Sequence, residues 1–180
     1  FMNKRFILVI LLTLCVPAGS IAAAPADFSA DFVQTRSLPG FDVPLVSHGR
    51  VHFDREGTLQ WTVTRPYHYT FEMAGEQIHE TLPDGSQRSL AAEKTPWLAT
   101  VQHVFRAALT GDRTTLSDYF RIHEAGNKLV LDPLADSLKG HITRITVVDP
   151  DLPQRITIDE AGGGSIDIRF EHVRKTGGAS

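Results

Sequence analysis

The sequence predicts an α+β protein dominated by one antiparallel sheet. Strict apolar/polar alternation runs through residues 49–73 (GRVHFDREGTLQWTVTRPYHYTFEM), and alternation returns from Phe120 onward. Helical periodicity is clearest in the stretch between these two regions. Successive side chains of a strand point to opposite faces, so each alternating run places apolar groups on one face. A sheet with one apolar face must be covered, either by curling on itself or by helices.

The composition is that of an ordinary single-domain protein. The chain has 180 residues, of which 42% are hydrophobic and 22% charged, and this is enough apolar material for a sizeable core. The formal net charge is -3 and no basic stripe is present, which argues against nucleic acid as a partner.

The N-terminus has the layout of a secretory signal peptide. Lys4 and Arg5 precede an uncharged apolar run, FILVILLTLCV, which is followed by the small-residue segment PAGSIAAA. We expect cleavage before Ala23. An uncleaved anchor is the alternative, although the run is short for a membrane span. Cys15 is the only cysteine, and Leu14 before it argues against lipidation. The predicted organisation is a signal peptide at 1–22, a domain at 23–174 and a disordered tail at 175–180.

The first part of the mature chain allows two interpretations. In ADFSADFVQTR (26–36), Phe28, Phe32 and Val33 have helical spacing, whereas Phe28, Ala30 and Phe32 would share one face of a strand. The segment 38–46 has two prolines and a glycine and is predicted to be a loop. After it, alternation predicts strands around 51–53, 59–63 and 67–73, with turns at Glu56-Gly57 and Arg65-Pro66.

The remaining elements follow from alternation, capping residues and turns. Residues 78–82 alternate again, 83–86 form a strong turn, and 87–90 return as a strand. Thr95 and Pro96 begin the clearest helix, which ends before Gly111. Asp112 is a possible cap for a second, short helix that would bury Leu116, Tyr119 and Phe120. Later strands are predicted at 120–124, 128–132, 142–149, 155–159 and 166–172.

Several of these segments together resemble the LolA family of periplasmic outer-membrane lipoprotein carriers. The resemblance rests on FSADFVQ (28–34), on Gly49, Val51, Phe53 and Arg55 at alternate positions, and on Leu59-x-Trp61 followed by Pro66. Further along, LTGD (109–112), residues 116–120, LVLDPL (129–134) and residues 142–148 resemble later parts of the family. The match spans most of the mature chain.

The resemblance implies an open, strongly curved half-barrel in the periplasm, with a few helices over its concave face. It implies a carrier that binds the acyl chain of a lipoprotein or lipid, with an inner-membrane donor complex and an outer-membrane acceptor as partners. Arg55 resembles the arginine implicated in lid closure and cargo release; its alternative role is that of a solvated turn residue. Leu59 and Trp61 resemble groups that line the cavity. We expect a monomer without cofactor or metal.

Without the resemblance, the aromatic face is either ordinary core or the lining of a groove. Two predicted helices are little cover for so many strands, and this favours a groove. The candidate lipid-binding residues are Val51, Phe53, Leu59, Trp61, Val63, Tyr69, Phe71, Met73, Leu98 and Phe105. If this face lines a cavity, Trp61 should not be fully covered.

Other classes of function have less support in the sequence. The eight histidines show no convincing ligand spacing, Gly162-Gly163-Gly164 lacks the lysine of a phosphate loop, and no serine lies in a Gly-x-Ser-x-Gly elbow. We therefore do not expect an enzyme. The rival hypothesis from another class is a sensor or interaction domain, in which the same sheet binds a protein partner.

Overall fold

The structure is a computed structural model, and it describes residues 27–74, 77–91, 113–150 and 152–176. The first six strands are β1 (Asp27–Ser37), β2 (Leu45–Phe53), β3 (Leu59–Arg65), β4 (Tyr69–Ala74), β5 (Gln77–Thr81) and β6 (Gln87–Ala91). The second half contains α1 (Arg113–Tyr119), β7 (Phe120–Ala125), β8 (Lys128–Pro133), α2 (Asp136–Lys139), β9 (Ile142–Val148), β10 (Arg155–Glu160) and β11 (Ser165–Thr176).

All strands belong to one antiparallel sheet of 11 strands, in the order β6-β5-β4-β3-β2-β1-β11-β10-β9-β8-β7. Two meanders, β2–β6 and β7–β11, therefore lie on either side of β1. Within the described residues the sheet is open, with β6 and β7 at its two edges. The predicted single antiparallel sheet is confirmed. The predicted helix 96–110, with Leu98 and Phe105, lies outside the described residues.

The opening segment is a strand, which decides between its two interpretations. In β1, Phe28, Ala30 and Phe32 are buried, whereas Val33 lies on the opposite face. The strand pairs with β2 on one side and with β11 on the other, so both rows of its backbone groups are engaged. Long-range pairing thus decides what the local spacing left open.

The apolar side chains form rows across one face of the sheet, which we call the inner face. One row joins directly opposite residues on five neighbouring strands, Ile78, Met73, Leu59, Phe53 and Phe28. Across the other half, a row runs through Ile168, Ile156, Val147 and Leu129. Cross-strand neighbours of this kind pack side by side and are the unit by which a sheet is stabilised.

Several predicted boundaries are wrong by a few residues. Tyr67 continues the alternation of β4 in the sequence, but β4 begins at Tyr69 and Tyr67 is exposed, because the turn at Pro66 carries it out of the sheet. Leu45 and Val46 belong to β2 and not to the preceding loop. Strand β11 continues through Thr176, into the predicted tail, because it pairs with β1 as far as Asp27. Among the described residues, no helix is long and apolar enough to cross a membrane.

Candidate functional site

Eight of the ten predicted cavity residues lie together on the inner face. They occupy three neighbouring strands: Val51 and Phe53 lie on β2, Leu59, Trp61 and Val63 on β3, and Tyr69, Phe71 and Met73 on β4. All eight are buried. The alternation in the sequence therefore correctly predicted that these residues share one face of the sheet.

The centre of this face is closely packed. The ring of Phe32 stacks on Trp61, with 4.0 Å between ring centroids and 25° between planes. Phe32 reaches Trp61 across β2, because the residue between them is Gly49, where an added Cβ would lie 2.5 Å from Phe32 Cζ. Trp61 is 0% exposed, so it does not meet the condition expected of a residue that lines a cavity, namely incomplete cover. The aromatic centre is core.

An apolar cavity of about 310 Å³ lies beside this core, where β1 ends, β2 begins and β3 turns into β4. This size is at the lower end of the range for small-molecule sites. Its apolar walls are Leu45, Val46, Val63, Pro66, Tyr67, Tyr69 and Pro83. Val63 and Tyr69 were predicted as cavity residues, and the structure places both there.

The β1 side of the cavity is polar. Gln34 and Arg36 follow Phe32 at alternate positions and so share the inner face, and Ser47 lies opposite Gln34 on β2. Arg36 Nη2 donates to Glu160 Oε1 at 2.8 Å, and both side chains are largely buried. Gln34 is 4% exposed, and its Oε1 has no hydrogen-bond donor within the described part of the chain. Gln34, Arg36 and Ser47 therefore form a polar corner of the cavity, and Glu160 balances the charge of Arg36.

A second buried polar group lies behind the apolar wall. Glu80 on β5 is 1% exposed. It accepts a hydrogen bond from the Tyr69 hydroxyl at 2.7 Å and forms an ion pair with Arg88 on β6. Burial, together with the hydrogen bond to Glu80, raises the pKa of Tyr69 above its usual value, so the phenol stays protonated and donates. This contact fixes the Tyr69 ring against the cavity.

Exposed apolar side chains lie in the β1–β2 connection, at the start of β2 and in the turn before β4. Phe41 is 72% exposed and Tyr67 is 71% exposed. Together with Val43, Leu45 and Val46, which are also exposed, they form what we call the rim. Three of the rim residues, Leu45, Val46 and Tyr67, also line the cavity. Exposed apolar surface next to an apolar cavity marks a candidate interaction site.

Arg55 lies far from this cavity along the strands. It occupies the turn between β2 and β3, where its backbone N–H donates to Asp27 Oδ1 at 3.1 Å and its Nε lies 3.4 Å from Asp27 Oδ2. The guanidinium is exposed. In this structure Arg55 joins the start of β1 to the β2–β3 turn.

The opposite, outer face carries a larger groove of about 760 Å³. Its side chains are mostly polar and include Arg50, His52, His172 and Arg174. Asp31 lies between Arg50 Nε at 3.3 Å and His172 Nδ1 at 3.0 Å. Such a lining suits hydrated groups and not a hydrocarbon chain. Among the described residues, no group of three or more His, Cys, Asp or Glu side chains is placed to hold a metal ion.

Sequence reasoning missed the polar corner and the rim. Gln34 and Arg36 continue the same even-numbered series as Phe28 and Phe32, and this series is the signal that would have placed them on the inner face. Phe41 and Val43 are apolar residues within a segment predicted to be a loop, which was itself a sign of an exposed apolar surface.

An open antiparallel sheet with an apolar cavity beside its core defines the structural class of this chain. A sequence profile of the family described as "Outer membrane lipoprotein carrier protein LolA" matches residues 25–179. The chain therefore belongs to the LolA family. A comparison with curated proteins finds no match to the chain.

Similar solved structures share little sequence with the chain. The LolA superfamily protein NE2245 from Nitrosomonas europaea has a TM-score of 0.48 and 11% identity, covering 97% of this chain and 94% of that chain. The complex of Pseudomonas aeruginosa MucA/MucB has a TM-score of 0.47 and 12% identity, covering 99% and 59%. A putative outer membrane lipoprotein-sorting protein domain from Vibrio parahaemolyticus has a TM-score of 0.43 and 9% identity, covering 86% and 87%.

Proposed function

We propose that this protein is a periplasmic carrier that binds the acyl chain of a lipoprotein or lipid and moves it towards the outer membrane. The observation that carries the proposal is the apolar cavity of about 310 Å³ beside the inner face, with an apolar rim around its end of the sheet. Membership of the LolA family and the predicted signal peptide support the same function and location.

The chemistry of the cavity suits a hydrocarbon chain. Each methylene group that leaves water for such walls contributes about 0.8 kcal/mol, so an acyl chain needs no charged anchor. Exposed rim residues such as Phe41 and Tyr67 would cover the part of the chain that projects from the cavity. Transfer to an acceptor then requires only that the acceptor offers a comparable apolar surface.

The wider aromatic face enters the proposal as an extension of the cavity. Val63 and Tyr69 connect the cavity wall to Trp61 and Phe71, which are packed in this structure. A long acyl chain would have to part this packing to advance along the face. The helix predicted at 96–110, with Leu98 and Phe105, would act as a movable cover of the concave face, and Arg55 would help to release it.

The experiment is a binding assay on two neighbouring residues of β3. Val63 lines the cavity, whereas Thr64 is exposed on the outer face. In Val63→Glu, a carboxylate must lose its hydration before a chain can enter. The affinity of this variant for a fluorescent fatty acid should therefore be at least tenfold lower than that of the parent. Thr64→Glu adds the same charge outside the cavity and should bind as the parent does. Equal binding by both variants would contradict the proposed site.

A sensor or interaction domain is the second candidate function, and the rim favours it. Phe41 and Val43 are strongly exposed, as apolar anchors of a protein interface are before the partner binds. Mass spectrometry of lipid extracted from the purified protein distinguishes the two functions. A stoichiometric acyl lipid supports the carrier, whereas protein that is free of lipid and binds no fatty acid supports the interaction domain.

A further inference from the structure

We infer that the cavity selects chains that carry a neutral hydrogen-bond donor, a hydroxyl or an amide N–H, next to their apolar segment. This inference rests on the proposed function, because it names the class of chain that the same cavity would take. The observation that carries it is Gln34, a buried side chain in the cavity wall whose Oε1 lacks a donor among the described residues.

The position of Gln34 follows from the register of the sheet. It lies opposite Ser47 on β2 and opposite Ile168 on β11, in the cavity wall near the end of β1. Both strand neighbours fix the backbone of β1, so the amide cannot leave the face. Buried amide groups in proteins are normally hydrogen-bonded, and an unpaired one is costly. A leucine would fill the same position without this cost, so the amide has a use that the free protein does not display.

The terminal torsion of glutamine is broad, which lets the amide turn towards a ligand at little cost. A donor on the bound chain would then pair with Oε1. Pairing removes the cost of a buried unpaired acceptor and should favour a donor-bearing chain over its plain analogue by about tenfold to a hundredfold.

The neighbouring charges indicate that the donor is neutral. Arg36 is the cationic group in the wall, and its guanidinium is held by Glu160 at 2.8 Å. An anionic head group would compete with this carboxylate and face Glu160 at close range. A hydroxyl or amide adds no charge to the pair. The apolar walls from Val63, Pro66 and Tyr69 then hold the adjoining methylene groups.

The test compares methyl 3-hydroxydodecanoate with methyl dodecanoate, two neutral esters that differ by one hydroxyl. Each displaces a fluorescent fatty acid from the parent protein and from the Gln34→Leu variant. The parent should prefer the hydroxy ester at least tenfold. In Gln34→Leu this preference should disappear through weaker binding of the hydroxy ester, with the plain ester bound as well as before or better.

A matched control is Gln60→Leu, the same substitution on the exposed outer face, which should keep the parental preference. Thermal melting accompanies the assay, and Gln34→Leu should melt no lower than the parent because it replaces an unpaired buried amide. Equal binding of the two esters by the parent, or a preference that survives in Gln34→Leu, would overturn the inference and leave the carrier function intact. Failure of both esters and of the fatty acid to bind would overturn the carrier function itself.

Discussion

The substitution Gly49→Ala tests the packing that closes the aromatic centre of the sheet. An added Cβ would lie 2.1 Å from the backbone oxygen of Thr62 and 2.5 Å from Cζ of Phe32. The first contact is with backbone in the neighbouring strand, so β2 and β3 must separate locally. The second forces Phe32 off Trp61, since the ring currently lies across the glycine.

The magnitude follows from three contributions. Overpacking of this kind costs about 1–3 kcal/mol. Loss of the stacked aromatic pair costs about 0.5–1.5 kcal/mol more. Replacing glycine by alanine restricts the unfolded chain and returns about 0.4–1 kcal/mol. The free energy of unfolding should therefore fall by about 0.5–4 kcal/mol, and the central value of about 2 kcal/mol is a decrease in Tm of roughly 4–8 °C for a chain of this size.

Urea denaturation followed by circular dichroism measures this change. Gly140→Ala is the matched control, because Gly140 has a φ of -69° and an added Cβ there would meet nothing within 4 Å. The control should stay within about 0.5 kcal/mol of the parent. A loss below about 0.5 kcal/mol in Gly49→Ala, no larger than that of the control, would refute the reasoning, since the neighbouring strands would then yield more easily than the contacts indicate.

Three further outcomes follow from the described contacts. Leu59→Glu should abolish cooperative unfolding in a melting experiment, because it places an unpaired charge in the fully buried core, whereas Val63→Glu should still fold because its carboxylate can remain hydrated in the cavity. Tyr69→Phe should lower the free energy of unfolding by about 1–3 kcal/mol, measured by urea denaturation, since a buried carboxylate loses a donor. The hydrogen bond from Arg144 lowers the pKa of Asp132. This contact therefore stabilises the fold above the unfolded-state pKa of Asp132, and the stabilisation is lost as the pH falls through the lower folded-state pKa. Arg144→Gln should therefore lose less stability on acidification in that window, and an unchanged slope would show that the pair is too exposed to matter.

The sequence predicted most reliably the features that depend only on the two-residue period of a strand, such as which residues share a face. Leu59, Trp61 and Val63 alternate strictly, and the structure places them on one face because a strand has no other way to arrange them. The opening segment remained ambiguous because Ala30 is too small to mark a face, and its main partner strand β11 lies far along the chain. Helix α2 has four residues, which is too few for a helical period to show.

The sequence predicted the site less well, for a physical reason. Alternation identifies a face but does not say what covers it, so Trp61 could be predicted as inward-pointing but not as fully buried. Gln34 was missed because a polar residue at an inner position conflicts with the pattern, and only the cavity beside it explains its place. Tyr67 was placed in the strand because Pro66 was treated as a break before the run and not as the start of an exposed turn.

The central position of β1 has a consequence for how the chain folds. The two meanders on either side of it can form from local pairs, but their union waits for the last strand to pair with the first, as between Asp31 and His172, which are 141 residues apart. Closure over such a distance is the slow part of folding a sheet. Because synthesis starts at the N-terminus, the sheet cannot be completed until Ser165–Thr176 is available. Until then one edge of β1 stays unpaired, and an unpaired strand edge can pair with another chain, which favours aggregation.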